Sequence, residues 1–405
     1  MLMAGSGSVA TLISLRLERA GVDTMMIGAV ATAYFAGLVI GALRAGAVMT
    51  RVGHIRAFAA FVALLSASTL AYSLVDSAPI WAVLRLTDGV CVAGVFVCLE
   101  SWLNDRAAPD VRGGLLAGYM VALYSGQAVG QLLLSIYGGM PAAPFQLASI
   151  LISLAIIPLC LTRSTAPAVP ERHDVSVASL FSASPLGVAG AVATGLMLGA
   201  FYGLAAVHVR RIGLEIGEIA TFMMVVILGG VALQWPLGRL SDGYDRRSVL
   251  VWSFGATTAV GVALALLQHS GLRLFAFGAL FGGLSFALYP LCVAHCNDRL
   301  PAAERVGASG LLVLLYSAGA AVGPVAGAAA MTLVGRGGLF FFVAMCAGAA
   351  FAFGIWRQSA RPPVPGMDQG EFRLVARTTP TAAAMLDPPE GEEANATPVP
   401  ARFGV

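Results

Sequence analysis

The segment GRLSDGYDRR, residues 238–247, carries five charged side chains within ten residues. The 405-residue chain around it is 58% hydrophobic and only 11% charged, which is about half of the charged fraction of a typical soluble protein. A soluble core of this size would need a charged surface that this composition does not supply. The chain is therefore predicted to lie in a membrane, with this segment where a helix meets water.

A weaker copy of the segment lies in the first half of the chain. GAVMTRVGHIR, residues 46–56, aligns with GRLSDGYDRRS, residues 238–248, at an offset of 192 residues. NDRAAPDVRG, residues 104–113, recurs as NDRLPAAERVG, residues 297–307, at an offset of 193. Two parallel six-helix repeats are a design in which the halves face each other across a central site.

Apolar runs near the ~20 residues that cross a bilayer as a helix recur along the chain. They do not alternate in hydropathy as barrel strands do, so the chain is predicted to be all-α. The first run reaches only ~22 Å before Arg16, which is shorter than a ~30 Å hydrocarbon core. We therefore expect the natural chain to begin upstream of Met1. The first run is not expected to be a signal peptide, because it has no basic segment before it and no cleavage site. The twelve predicted spans cover about 1–16, 25–47, 57–76, 80–104, 113–137, 143–162, 186–209, 217–239, 248–268, 271–297, 306–332 and 337–357.

A polar loop and a polar tail divide the chain. The predicted parts are an N-terminal six-helix bundle (1–163), a cytoplasmic loop (164–185), a C-terminal six-helix bundle (186–357) and a tail (358–405), whose Pro, Ala, Thr and Glu content predicts disorder. All 24 basic residues are arginines, and 17 of them lie on the side of the loop and the tail, against six on the other side. The positive-inside rule therefore places both termini in the cytoplasm.

The opening segment resembles the loop signature of the major facilitator superfamily, G-x-x-x-D-x-x-[GD]-[RK]-[RK]. The residues that carry this resemblance are Gly238, Arg239, Asp242, Asp245, Arg246 and Arg247. RLTDG, residues 85–89, resembles the family's fourth-helix motif R-x-x-x-G. Further short stretches are similar to the YcaD-like bacterial group of that superfamily, in the order ESWLN (100–104), RGGLLAGYM (112–120), QWPLGRLSD (234–242) and FALYP (286–290).

This resemblance implies two pseudo-symmetric six-helix bundles and secondary transport of a small solute across the bacterial inner membrane, by a monomer. It also implies that the charged loop latches the cytoplasmic side when the cavity faces outward. The first copy keeps Arg51 and Arg56 but has Thr50 where an acidic residue is expected, so we expect a latch that is stronger in the second half. The alternative is that the arginines only set topology, which leaves Asp242 and Asp245 unexplained.

Ionisable side chains inside a bilayer are costly and mark functional sites by default. Arg85, Asp88 and Glu100 fall within a ~120° arc of the fourth span. We predict that Asp88 or Glu100 exchanges a proton while Arg85 tunes its pKa. The alternatives are a structural Arg85–Asp88 pair and, favoured for Glu100, an anchor to the following loop through Arg112.

Polar aromatic and amide side chains recur on the spans that would line a central cavity. Such groups hydrogen-bond a small polar or amphipathic solute, or they join helices that small residues bring together; for the set as a whole, neither interpretation is favoured. No carboxylate cluster points to a cationic solute, so an anionic or neutral solute stays possible. The set comprises Tyr119, Tyr124, Gln127, Gln131, Tyr202, Tyr289 and Tyr316.

Other classes of function find less support. We recognise no nucleophile–base pair and no P-loop, and Cys292, His295 and Cys296 share one span without a fourth metal ligand. The chain is therefore predicted to be neither an enzyme nor an ATP-driven pump, with no cofactor or metal. Its predicted partners are a small solute, protons and the lipid bilayer, and not nucleic acid. The alternative is a membrane receptor or scaffold without flux, because fold alone does not fix function.

Overall fold

The computed structural model describes residues 1–106, 112–138, 142–161, 176–267, 271–360, 369–370, 372 and 377–380. Within these ranges a 3-10 helix, Leu132–Gly138, continues the sixth of fifteen α-helices. The α-helices are α1 (Leu2–Ser6), α2 (Val9–Arg19), α3 (Thr24–Val52), α4 (His54–Ala71), α5 (Ala78–Arg106), α6 (Arg112–Gln131), α7 (Ala143–Leu154), α8 (Ile156–Cys160), α9 (Val177–Ala183), α10 (Pro185–Arg211), α11 (Ile216–Gly243), α12 (Arg246–Leu266), α13 (Leu272–Asn297), α14 (Ala302–Val334) and α15 (Gly338–Ala360).

Ten helical segments are long and apolar enough to cross a bilayer, with α7 and α8 counted as one. The other two passages are composite: α1 with α2 forms the first, and α6 with the 3-10 helix forms the fifth. The predicted twelve-helix fold is thereby confirmed, with six passages in each half. Within the predicted loop between the halves (164–185), residues 164–175 lie outside the described residues, and α9 (Val177–Ala183) occupies most of the remainder.

The first passage is interrupted at Gly7 and Ser8, where the sequence predicted one continuous span. Backbone groups freed inside a membrane must be satisfied within the protein. The Gln131 amide of α6 donates a 2.8 Å hydrogen bond to the Gly7 carbonyl, and its oxygen accepts one of 3.2 Å from the Thr11 hydroxyl. Gln131 is almost fully buried, so its observed contacts join two helices.

Glycines allow two pairs of helices to pack backbone against backbone. A Cβ atom at Gly89 of α5 would lie 2.0 Å from the carbonyl oxygen of Tyr34 in α3. One at Gly195 of α10 would lie 2.0 Å from the carbonyl oxygen of Tyr316 in α14. No side chain fits at either distance, which is the close approach that small residues permit between membrane helices.

The helices have two distinct ends. We call the end where α3, α11 and α13 terminate the arginine-rich end, and the end where α2, α10 and α14 terminate the opposite end. At the opposite end Arg211 joins the halves: its guanidinium donates to both carboxylate oxygens of Glu18, at 2.7 and 2.8 Å. The same guanidinium donates to the Thr24 hydroxyl at 2.9 Å.

Two further hydrogen bonds join the halves within the membrane-spanning helices. The Ser14 hydroxyl of α2 donates to the Gly203 carbonyl of α10 at 2.8 Å. The Thr32 hydroxyl of α3 donates to the Ala321 carbonyl of α14 at 2.8 Å. Both link a side chain of the first half to the backbone of the second, so the opposite end is held closed.

Beyond Ala360 the structure describes seven tail residues, 369–370, 372 and 377–380. Several of them contact the helices, and the hydroxyls of Thr378 and Thr379 donate to the buried Glu100. The disorder of the tail as a whole stays a prediction. A composition averaged over the tail does not reveal such a short polar segment. The rest of the tail beyond Ala360 lies outside the described residues.

Candidate functional site

A cavity of about 170 Å³ lies between the two halves. This volume is close to that of a protein cavity that holds benzene, roughly 150 Å³, so the cavity has room for a small solute. Side chains of α1 to α6, α10 and α14 line it, together with Arg377 and Thr378 of the tail. The predicted site residues along its wall are Arg85, Asp88, Tyr124, Gln127, Tyr202 and Tyr316.

Four other predicted residues are not part of this wall. Gln131 serves the interruption of the first passage. Tyr119 and Glu100 contact each other instead, because the Tyr119 hydroxyl donates a 3.0 Å hydrogen bond to the Glu100 carboxylate. Tyr289 is fully buried, its ring centroid lies 5.2 Å from that of Tyr316, and its hydroxyl has no hydrogen-bond partner in the described part of the chain.

Arg85 and Asp88 form a buried ion pair on the cavity wall. Nη1 of Arg85 lies 3.6 Å from Oδ2 of Asp88, and the two side chains are 6% and 2% exposed. The Tyr72 hydroxyl donates to the same carboxylate oxygen at 2.6 Å, while the Arg85 guanidinium lies 4.0 Å from the centre of the Tyr34 ring. Oδ1 of Asp88 has no partner among the described residues.

The helical spacing of three residues was sufficient to predict the Arg85–Asp88 pair. Tyr72 and Tyr34 come from α4 and α3, and no local pattern in the sequence connects them to α5. They make the pair chemically specific, because a phenol stabilises the carboxylate and an aromatic face stabilises the guanidinium.

Glu100 lies on α5 towards the arginine-rich end and is fully buried. It accepts hydrogen bonds from Tyr119, Thr378 and Thr379, the last two from the tail. The predicted contact between Glu100 and Arg112 stays a prediction, because the structure does not describe the side chain of Arg112. Sequence reasoning misses the two threonines, because the composition of the tail predicts a polar segment without contacts.

Arg377 extends the tail into the cavity between the halves. Its guanidinium lies 4.3 Å from the centre of the Phe286 ring and 5.9 Å from that of Tyr124. Nη2 donates to the Tyr202 hydroxyl at 3.4 Å. From the sequence alone, Arg377 is only one of the arginines that set the topology.

The signature loop forms a charge network around Arg246, which is only 2% exposed. Its guanidinium donates to both oxygens of Asp298, at 2.7 and 2.9 Å, and to Asp242 at 2.8 Å. Asp245 caps α12 by accepting from the amide and the hydroxyl of Ser248, at 3.2 and 2.7 Å. The network therefore fixes the ends of α11, α12 and α13 to one another.

Asp298 was missed as a network member, although it lies within the repeated NDR motif. Burial raises the pKa of its carboxyl above the ordinary value, and the Arg246 guanidinium opposes this shift by stabilising the charged form. The signal available in the sequence was the offset repeat, which places an aspartate at the end of α13 beside an arginine-rich loop.

Tail backbone groups complete this network. The Gly370 carbonyl accepts from Arg246 at 2.6 Å, and its amide donates to Asp298 at 3.1 Å. The Phe372 amide donates to Asp242 at 2.8 Å. The Phe372 ring covers Gly238 so closely that a Cβ atom there would lie 2.2 Å from the ring.

The other predicted latch residues are more peripheral. The Arg239 guanidinium lies 4.2 Å from the centre of the Trp235 ring, and Nε of Arg247 lies 4.0 Å from Asp245. Arg51 and Arg56 are exposed.

In the first copy of the loop, Thr50 and His54 stand at the positions of Asp242 and Arg246. Thr50 donates to the carbonyl of Ala47 in its own helix at 3.0 Å, and the His54 ring lies 3.2 Å from the Ser101 hydroxyl. The groups that Thr50 and His54 contact, a backbone carbonyl and a hydroxyl, carry no charge. The two copies of the loop therefore occupy equivalent positions in the repeat, but only the second copy forms a charge network.

The chain is similar in sequence to known proteins. The sequence profile of the Major Facilitator Superfamily matches residues 1–270 and 187–389. The uncharacterized MFS-type transporter YcaD of Salmonella enteritidis is 29% identical over 336 residues, which is 82% of this chain and 87% of that protein.

Two solved structures share the fold. The nucleoside transporter NupG superposes with a TM-score of 0.70 at 13% identity, covering 88% of this chain and 96% of that one. A D-xylose-proton symporter gives a TM-score of 0.69 at 14% identity, covering 90% and 96%. At such identities the structural likeness shows the fold alone.

Proposed function

This chain belongs to the major facilitator superfamily, and we propose that it carries a small solute across the bacterial inner membrane by alternating access, coupled to proton movement. In this proposal the two six-helix halves rock about the cavity, and the arginine-rich end faces the cytoplasm. The resemblance to YcaD supports the class of protein. The solute and the coupling are argued from the cavity itself.

One observation carries the proposal. The cavity lies between the halves, both halves line it, and the contacts that close it at the opposite end join side chains of one half to the other half. Such contacts can break without unfolding either half, because each half keeps its own helix packing. A site between two bundles that close at one end is what alternating access requires.

Asp88 is the proposed proton carrier. One of its oxygens is held by Tyr72 and Arg85, and the other has no partner in the described part of the chain although the residue lines the cavity. Protonation of Asp88 removes the charge that neutralises Arg85, so the cavity wall becomes more positive by one charge. That change in charge alters both the affinity of the cavity for a solute and the balance between its conformations. Proton binding and solute movement can thereby be coupled.

The network around Arg246 is the proposed latch at the cytoplasmic side. Its partners Asp298 and Asp242 hold three helix ends of the second half as one unit. A rigid unit of this kind can move as a body when the halves rock. The different chemistry at Thr50 and His54 supports a latch that is stronger in the second half.

The proposed function is tested by flux into proteoliposomes with an imposed pH gradient, across a panel of neutral, anionic and cationic solutes. Solute accumulation that follows the gradient, together with proton movement in the opposite or same direction, supports the proposal. If neither solute nor protons move while the protein remains folded, the receptor interpretation replaces it.

A further inference from the structure

The surroundings of the Arg377 guanidinium form an aromatic cage. Phe286 faces it at 4.3 Å and Tyr124 at 5.9 Å, and the Tyr202 hydroxyl accepts its hydrogen bond. Aromatic faces attract guanidinium and ammonium groups through the negative potential of the ring, and more strongly where water is displaced. The cage therefore offers a cation a site without using a carboxylate.

The three cage residues are packed on one another. The ring centroids of Tyr124 and Phe286 lie 5.7 Å apart, and those of Tyr202 and Phe286 lie 6.2 Å apart. They come from α6, α10 and α13, so both halves of the protein contribute. Rings that support one another in this way remain positioned when the guanidinium leaves, which lowers the cost of binding another cation.

The tail is attached at both sides of the cage. Gly370 and Phe372 are bound to the network of Arg246, Asp242 and Asp298, while Thr378 and Thr379 donate to Glu100. This arrangement delivers Arg377 to the cavity from the arginine-rich end. Arg377 is thus an internal ligand in the space where the proposed solute would bind.

We propose that the cage of Tyr124, Tyr202 and Phe286 binds an organic cation with a guanidinium or ammonium group, and that Arg377 competes with this cation as a tethered occupant. The inference rests on the proposed function, because the cage borders the proposed solute cavity. The sequence has no carboxylate cluster that would point to a cationic solute, which left an anionic or neutral solute possible. Aromatic faces supply the attraction that carboxylates would otherwise provide.

The size of the competition depends on how tightly the tail segment binds the cage. A ligand that is tethered close to its site acts at an effective concentration in the mM range. If the tail segment binds the cage with a dissociation constant of ~0.1 mM, it weakens the apparent affinity for a free cation about tenfold. Removal of the Arg377 side chain should restore that factor.

The experiment measures binding and needs no flux. The full chain in lipid nanodiscs is titrated with methylguanidinium and with methylurea, which has a similar shape but no charge. The wild type, Arg377→Ala, and Arg377→Ala combined with Phe286→Leu are compared. Leucine keeps an apolar side chain at position 286, which limits the effect on folding, and it removes the aromatic face.

We expect Arg377→Ala to bind methylguanidinium about tenfold more tightly than the wild type does, with no measurable binding of methylurea. The added Phe286→Leu change should reverse the gain while thermal unfolding stays cooperative. Equal binding of the two probes, or no gain in Arg377→Ala, would overturn the inference. If the cation-binding experiment fails while another solute is still transported, the cage proposal is wrong and the proposed function is unaffected. If the cation binds but no solute or proton flux is found, the proposed function is wrong and the cage proposal is unaffected.

Discussion

Replacement of Arg211 by alanine should release the contact that closes the opposite end. Arg211 makes three hydrogen bonds across the halves, two to the Glu18 carboxylate at 2.7 and 2.8 Å and one to the Thr24 hydroxyl at 2.9 Å. None of these bonds contributes to packing within either bundle. We therefore expect the variant to fold as the wild type does and to differ in the balance between conformations.

The magnitude follows from the geometry and the exposure of the pair. Hydrogen bonds to charged groups contribute about 1.5–3 kcal/mol, and fully exposed ion pairs about 0.2–1 kcal/mol. The Arg211 and Glu18 side chains are 32% and 18% exposed, so a discounted value of about 1–2 kcal/mol applies to the bidentate pair. Since about 1.4 kcal/mol is a factor of ten, opening of this end should become roughly 5- to 30-fold more favourable.

Pulsed electron paramagnetic resonance between two spin labels checks this shift. Met26 of α3 and Thr221 of α11 are exposed near the opposite end, one in each half, and suit labelling as cysteines. Arg211→Ala should add a population at longer distance to the single population of the wild type. Arg210→Ala is the matched control, because its partner Glu215 belongs to the same half.

The charge reversal Glu18→Arg with Arg211→Glu should bring back the short distance. If Arg211→Ala and Arg210→Ala give the same distribution as the wild type, the pair does not hold the halves together. If both arginine variants shift it equally, the effect is general electrostatics and not the contact described. Repetition in an Arg377→Ala background separates this closure from the contacts of the tail at the other end.

Two further predictions concern the proton site and the loop. Asp88→Asn should abolish solute accumulation driven by a pH gradient, because the amide keeps the hydrogen bond to Tyr72 and cannot exchange a proton. The control Asp76→Asn, at an exposed side chain, should retain this accumulation. Gradient-driven uptake by Asp88→Asn would refute the assignment. Asp242→Ala should shift the inward–outward balance in a crosslinking assay, because it removes one carboxylate from the Arg246 guanidinium and one acceptor from the tail. Thr50→Ala, at the equivalent position of the first half, should leave that balance unchanged, and equal effects of the two would contradict an asymmetric latch.

The extent of sequence prediction depended on how far apart the interacting residues lie in the chain. The Arg85–Asp88 pair was predicted because both residues lie on one helix, one turn apart. The twelve-helix fold was predicted because hydropathy and the offset repeat extend over whole spans. Both are properties of contiguous or regularly repeated sequence, which a single chain displays directly.

The missed features join distant parts of the chain. Gln131 supports an interruption that lies more than a hundred residues earlier, and its amide gives no local sign of that partner. Thr378 and Thr379 bond to Glu100 from a tail whose composition predicts disorder. Such contacts are decided by tertiary packing, which the composition of a polar segment does not reveal.

In the proposed mechanism the cavity opens alternately to the two sides of the membrane. Ser317 lies on the cavity wall in α14, and a Ser317→Cys variant can be labelled with a membrane-impermeant maleimide in right-side-out and inverted vesicles, with the unsubstituted chain as background. Alternating access predicts labelling from both sides, with Arg377→Ala accelerating it from the cytoplasmic side and Arg211→Ala from the other. Labelling from one side only, in all three backgrounds, would contradict the account.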